Sequence, residues 1–323
     1  MIDFRYHLVS LISVFLALAV GIILGAGPLQ GAIGETLTEQ VDALRAERTD
    51  LRTELDSTQT ALDGDERFIE AVGTQIVPGS LEGDRVAVVQ LADVSEDTQE
   101  GVLAQLETAG ASVVSTTVLT DAWTDTADES SRETVADGLR ANLGDDAPED
   151  DDAGTTLGTA LALALTGSEG GGPGRSAQAT DLEAQLERFG FVEPGDDQTE
   201  AAQAVLLLVG AAGQPQETAD GATEEAEPAP DTWTAVTRAV QQVSGAAVLA
   251  GPTEDPGDVV QAVREDEEIA AEVTTVSGIG RLTGRITVPL AIAARLDGTV
   301  GQYGLEEDAT AVLPPAPAGT GPE

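Results

Sequence analysis

From Leu8 to Gly27 the chain carries no charged side chain, and this constrains it more than any other feature. At about 1.5 Å of rise per helical residue, such a run spans the ~30 Å hydrocarbon layer of a bilayer. Ser10 and Ser13 are its polar interruptions. A cleaved signal peptide has a shorter apolar core, of about 7 to 15 residues, before a small-x-small site. Here the small triplet Gly25, Ala26, Gly27 is followed by Pro28 and a polar helical pattern, so 8–27 reads as an uncleaved transmembrane helix. Arg5 precedes the span and the next basic residue is Arg45. By the positive-inside rule, residues 1–7 are expected in the cytoplasm and the bulk of the chain outside the membrane.

Charge then narrows the partners. Fifteen basic residues, all Arg, stand against 58 Asp plus Glu, giving a net charge of -43. Such a surface repels phosphate backbones, so no nucleic-acid partner is expected. The acidity reads as solvated faces, with cation binding as the sharper alternative. No Cys occurs, and the single His and single Met are His7 and Met1. Disulfides and thiolate metal sites are excluded, and metal chemistry beyond the membrane would have to use carboxylates. His7 has two readings, a metal ligand at the mouth of the span or an interfacial residue beside Tyr6.

After Pro28 the apolar positions recur at steps of three and four. Val41, Arg48, Leu55, Leu62 and Ile69 fall at one heptad core position; Leu37, Leu44, Leu51, Thr58 and Val72 fall at the other. Arg48 and Thr58 are polar intrusions in a coiled-coil seam, and Gly64-Asp65 reads as an interruption before the stalk ends at Pro78. Ala17, Gly21 and Gly25 add a small-xxx-small face in the anchor. A parallel homodimer through anchor and stalk (28–78) is expected. The alternative is one amphipathic helix folded back on the exterior domain.

Residues 84–313 alternate strand and helix. Arg85 to Leu91, Ser95 to Ala109 and Ala111 to Leu119 read as a βαβ unit with Ser95 as helix cap. Leu157 to Leu165 is too short to cross a membrane and reads as a core helix. Ala204 to Val209, Ala246 to Ala250 and Glu272 to Val276 read as further strands. The expected fold is α/β, a mostly parallel sheet with helices on both faces, Rossmann-like. Gln214 to Pro230 reads as a disordered insertion and 314–323 as a disordered tail.

Catalytic devices are sparse. A Ser/His/Asp or Cys/His arrangement cannot form outside the membrane, because His7 stands alone. No carboxylate pair is picked out by an apolar setting, and Asp145 to Asp152 lacks the order of a calcium loop. Gly278, Gly280 and Gly284 lie between a strand and a helix, as dinucleotide-binding glycines do. However, no acid-bearing second strand follows them, so they read as a tight turn. No enzyme, no cofactor and no resident metal are expected.

The opening MIDFRYHLVSLISVFLALAVGIILG, the FIEAVGTQIVPGSLEGDRVAVV junction and the closing GQYGLEEDATAVLP resemble the actinobacterial copper-transporter family, the MctB-like envelope proteins. The resemblance covers almost the whole chain. It implies a role in copper homeostasis or efflux across the cell envelope. It also implies an alternative, a dimeric cell-envelope or division scaffold that presents the α/β domain to a protein partner.

Overall fold

The computed structural model describes residues 4–26, 28–91, 94–148, 152–194, 198, 200–211, 216–217, 223–224, 230–253 and 257–315. They form two compact units, Met1–Arg67 and Phe68–Glu323. In the first, α1 (Phe4–Ala26) is long and apolar enough to cross a membrane. Its Ser13 hydroxyl donates to the Val9 carbonyl at 2.8 Å, which satisfies that hydroxyl within the helix. Pro28 opens α2 (Pro28–Ile76), where its missing N–H leaves no bond unmade. Gly64 does not break α2: one glycine costs about 1 kcal/mol, less than the flanking turns supply. The helix stops where Pro78 follows it and Gly79 turns left-handed at φ 78°.

The second unit takes up the last turns of α2 and then alternates. In chain order it contains β1 (Arg85–Gln90), α3 (Glu96–Thr108), β2 (Ser112–Leu119), α4 (Glu129–Leu143), α5 (Ala153–Thr166), α6 (Ala177–Arg188), β3 (Val192–Pro194) and β4 (Ala204–Leu208). There follow β5 (Gln216–Glu217), β6 (Thr223–Glu224), α7 (Pro230–Ser244), β7 (Ala247–Gly251), α8 (Val259–Glu265), α9 (Glu267–Ala270), β8 (Thr274–Ser277), α10 (Leu282–Leu296) and β9 (Gln302–Tyr303). The main sheet runs β3-β2-β1-β4-β7-β8-β9, with every neighbouring pair parallel except β2 and β3.

Strand alternation sends side chains to two separate cores. Val86, Val88, Leu206 and Val248 pack with Val102 and Leu106 of α3 and with Ile286 and Ile292 of α10. Ala87, Val89, Val205 and Leu249 belong to the other core, with α4 to α8. There α5 is buried along nearly its whole length, which accounts for its apolar sequence without a membrane. Trp123 is sealed in this core, stacked edge-on to Phe191 at 5.8 Å, and its indole N–H donates to the Phe191 carbonyl at 2.7 Å.

Several boundaries differ from the sequence expectation. Ser95 does cap α3, accepting from the Thr98 amide. α10 begins at Leu282 and takes in Thr283 and Gly284, weak helix formers that hide its first turn in the sequence. β3 and β9 have no sequence period to reveal them. Within Gln214 to Pro230, β5 and β6 pair as a short antiparallel ribbon and Pro230 opens α7, while the rest of that stretch lies outside the described residues, as does 316–323.

Candidate functional site

In the first unit the expected pairing surface lies bare. Val41, Leu44, Leu51, Leu55 and Leu62 are all exposed, as is Arg48 among them. Ala17 is exposed, and a Cβ added at Gly21 would meet no atom within 4 Å. Gly25 and Leu37 are helical, but their surroundings lie outside the described residues. His7 is exposed on α1. Among the described residues no three His, Cys, Asp or Glu side chains converge as a metal site would require.

In the second unit the parallel strands β2-β1-β4-β7-β8-β9 stand in sequence order 2-1-3-4-5-6, so the connections leave β1 in opposite directions. Ligand crevices of open α/β sheets form at such a reversal, beyond the carboxyl ends of the strands. A cleft of about 560 Å³ lies there, lined by Ser95, Thr98, Gly210, Thr253, Gly280 and Arg281. Two of the three glycines singled out in the sequence, Gly278 and Gly280, line one wall, and Gly284 packs behind them. Gly278 takes φ 69°, a left-handed conformation that bends the chain out of β8. Gly284 lies so close to the Gly278 carbonyl that a Cβ would strike it, which lets α10 settle onto the turn.

Arg285 fastens this wall to α3. Its Nε donates to the Ile279 carbonyl at 3.0 Å, and an Nη donates to Asp97 at 2.6 Å and to the Gly280 carbonyl at 3.4 Å. Gly101 gives it passage, since any side chain there would collide with the guanidinium.

A second arginine organises the sheet edge. Arg264 is 2% exposed and donates to the Tyr303 carbonyl and the Thr275 hydroxyl, both at 2.9 Å. It also pairs with Asp308 at 3.2 Å and Glu306 at 3.7 Å. Glu306 accepts in turn from Ser277. This holds β9 and the segment after it against β8, and burial pushes the Tyr303 phenol above its ordinary pKa of 10.0. Beside it an apolar groove of about 210 Å³ is walled by Phe68 and Ile76 of α2, by the start of α10, and by Leu305, Val312 and Leu313. Neither arginine stands out in sequence. Their partners lie up to 188 residues away.

A family described as "Copper transport outer membrane protein, MctB" matches residues 1–314. The Copper transporter MctB of Mycobacterium tuberculosis is 29% identical over 333 residues, covering 97% of this chain and 99% of the relative. The protein of the same name from Mycobacterium bovis matches to the same extent. That of Mycobacterium leprae is 27% identical over 338 residues, covering 98% of this chain and all of the relative. With a match that takes in α1, α2 and every strand of the sheet, this chain belongs to the MctB family.

Proposed function

We propose that this chain is a non-enzymatic, membrane-anchored component of copper homeostasis or efflux at the cell envelope. The observation that carries the reading is the near full-length similarity to relatives named Copper transporter MctB. In this reading α1 holds the protein in the membrane with its amino terminus in the cytoplasm. α2 pairs with its counterpart as a parallel coiled-coil stalk, and the Rossmann-like α/β unit is presented outside. Copper is cargo. Sulfur and imidazole ligands suit it best, and this chain confines them to Met1 and His7. Copper movement therefore runs through partner proteins or at the start of the anchor. Deleting the gene is expected to raise cellular copper and copper sensitivity, with both restored by the intact chain. Unaltered copper content and tolerance would overturn the reading.

A second reading is favoured by the bare apolar seam of α2: a dimeric envelope or division scaffold whose α/β unit recognises a protein partner. Defective septation with normal copper content in the same deletion strain would select it.

A further inference from the structure

We propose that the apolar groove and the crevice beside it together bind a single-chain amphiphile with a neutral, hydroxyl-bearing head, its chain in the groove and its head in the crevice. The site is independent of the copper and dimer readings. Both cavities lie within the second unit, and they border each other, because Gly278, Arg281 and Glu306 line both. On the groove side, Phe68 is 69% exposed, Leu305 59% and Val312 55%, and with Ile76 and Leu313 they converge on one slot. Exposed apolar side chains gathered in this way, and rimmed by polar residues, mark a binding surface.

Size selects what enters the groove. One turn of a helix about 10 Å across and about 5.4 Å long displaces on the order of 400 Å³. The groove holds about 210 Å³, so it admits a slender alkyl chain and not a helix. The neighbouring crevice selects the head. Its volume of about 560 Å³ falls in the range of roughly 300–1,000 Å³ that small-molecule sites occupy. It is lined by the hydroxyl-bearing Ser95, Thr98 and Thr253 and by the turns at Gly210 and Gly280. Arg281 and Glu306 bring one charge of each sign, and Glu306 is already held by Arg264 and Ser277. A charged head would therefore meet no net counter-charge, and the chain's net charge of -43 repels an anionic one. Hydroxyl groups both donate and accept, which suits this lining. A wholly apolar ligand would leave the crevice unused, and a wholly polar one would be desolvated against the groove without a partner.

The test uses the full-length chain in phosphatidylcholine nanodiscs, photolabelled with dodecyl maltoside that carries a diazirine at the end of its chain. Mass spectrometry locates the adducts, and α1 serves as the internal measure of labelling from the bilayer. The expected adducts fall on residues 68–76 and 305–313 and are displaced saturably by unlabelled dodecyl maltoside. Dodecanoate and dodecyltrimethylammonium, with the same chain and charged heads, should displace at least about tenfold less well. Across octyl, decyl and dodecyl maltosides, competition at equal free concentration should strengthen about fourfold per methylene. Adducts confined to α1, groove adducts that unlabelled maltoside does not displace, or equal displacement by all three heads would overturn the proposal. Two variants separate the halves of the site. Leu305→Asp, at an exposed position, should cut groove labelling about tenfold with an unchanged melting temperature. Thr98→Phe, which fills the crevice, should erase the preference among heads and keep the dependence on chain length. Labelling undiminished by the first, or head preference untouched by the second, would refute the assignment.

Discussion

Replacing the glycines of the β8–α10 turn one at a time separates a packing device from a ligand cradle. A Cβ at Gly284 would collide with the carbonyl group of Gly278 and come within 2.7 Å of the Ile279 nitrogen. These are backbone atoms and cannot rotate aside. Overpacking costs about 1–3 kcal/mol, and with no side chain to yield, Gly284→Ala should fall at the upper end. At roughly 2–4 °C per kcal/mol for a unit of this size, the melting temperature should drop about 6–12 °C. Gly278 sits at φ 69°, so Gly278→Ala should cost about 1–2 kcal/mol through backbone strain alone. Gly280 has neither constraint, with nothing within 4 Å of its added Cβ. Gly280→Ala should stay within about 0.5 kcal/mol of the parent. Thermal unfolding followed by the fluorescence of Trp123 and Trp233, both buried in the α5–α7 core, gives the readout. Equal losses at Gly280 and Gly284, or a Gly284→Ala protein melting with the parent, would refute the packing argument.

Three further outcomes follow from the same geometry. Arg48→Leu should tighten self-association in sedimentation, because it replaces a cation at a heptad core position with an apolar side chain; unchanged or weaker association would argue against the stalk dimer. Arg264→Met should cost about 3 kcal/mol in urea unfolding, since it strips the Tyr303 carbonyl, Asp308 and Glu306 of their common donor. In a Tyr6→Phe background the remaining tyrosine is Tyr303, and its ultraviolet titration should lie above pH 10.0. Because the folded state favours the neutral phenol, that part of the stability is intact below pH 10.0 and is lost as pH rises through the folded-state pKa.

The sheet was readable from sequence wherever a strand was long enough to show its character. RVAVVQ and AVLLL are buried in nearly every residue and read as continuous apolar runs, which is how central parallel strands appear. Val192–Pro194 and Gln302–Tyr303 have three and two residues, too few for any period, and are defined by their neighbours rather than by their own side chains. The expected break at Gly64-Asp65 overweighted one glycine against the cooperativity of a long helix. The heptad of α2 is legible because it is a local signal, and its apolar residues Val41, Leu44, Leu51, Leu55 and Leu62 are exposed in the first unit. The groove is not, because Phe68 and Leu313 line it from distant parts of the chain. Arg264 and Arg285 were hidden for the same reason.

Arg285 also bears on how the crevice can move. One guanidinium holds the carbonyls of Ile279 and Gly280 on one side and Asp97 on the other, through the gap left by Gly101. The β8–α10 turn therefore cannot swing away from α3 unless these bonds are released at once. The two walls breathe together, and amide exchange in the turn should follow that of the first turn of α3 rather than that of the neighbouring loops.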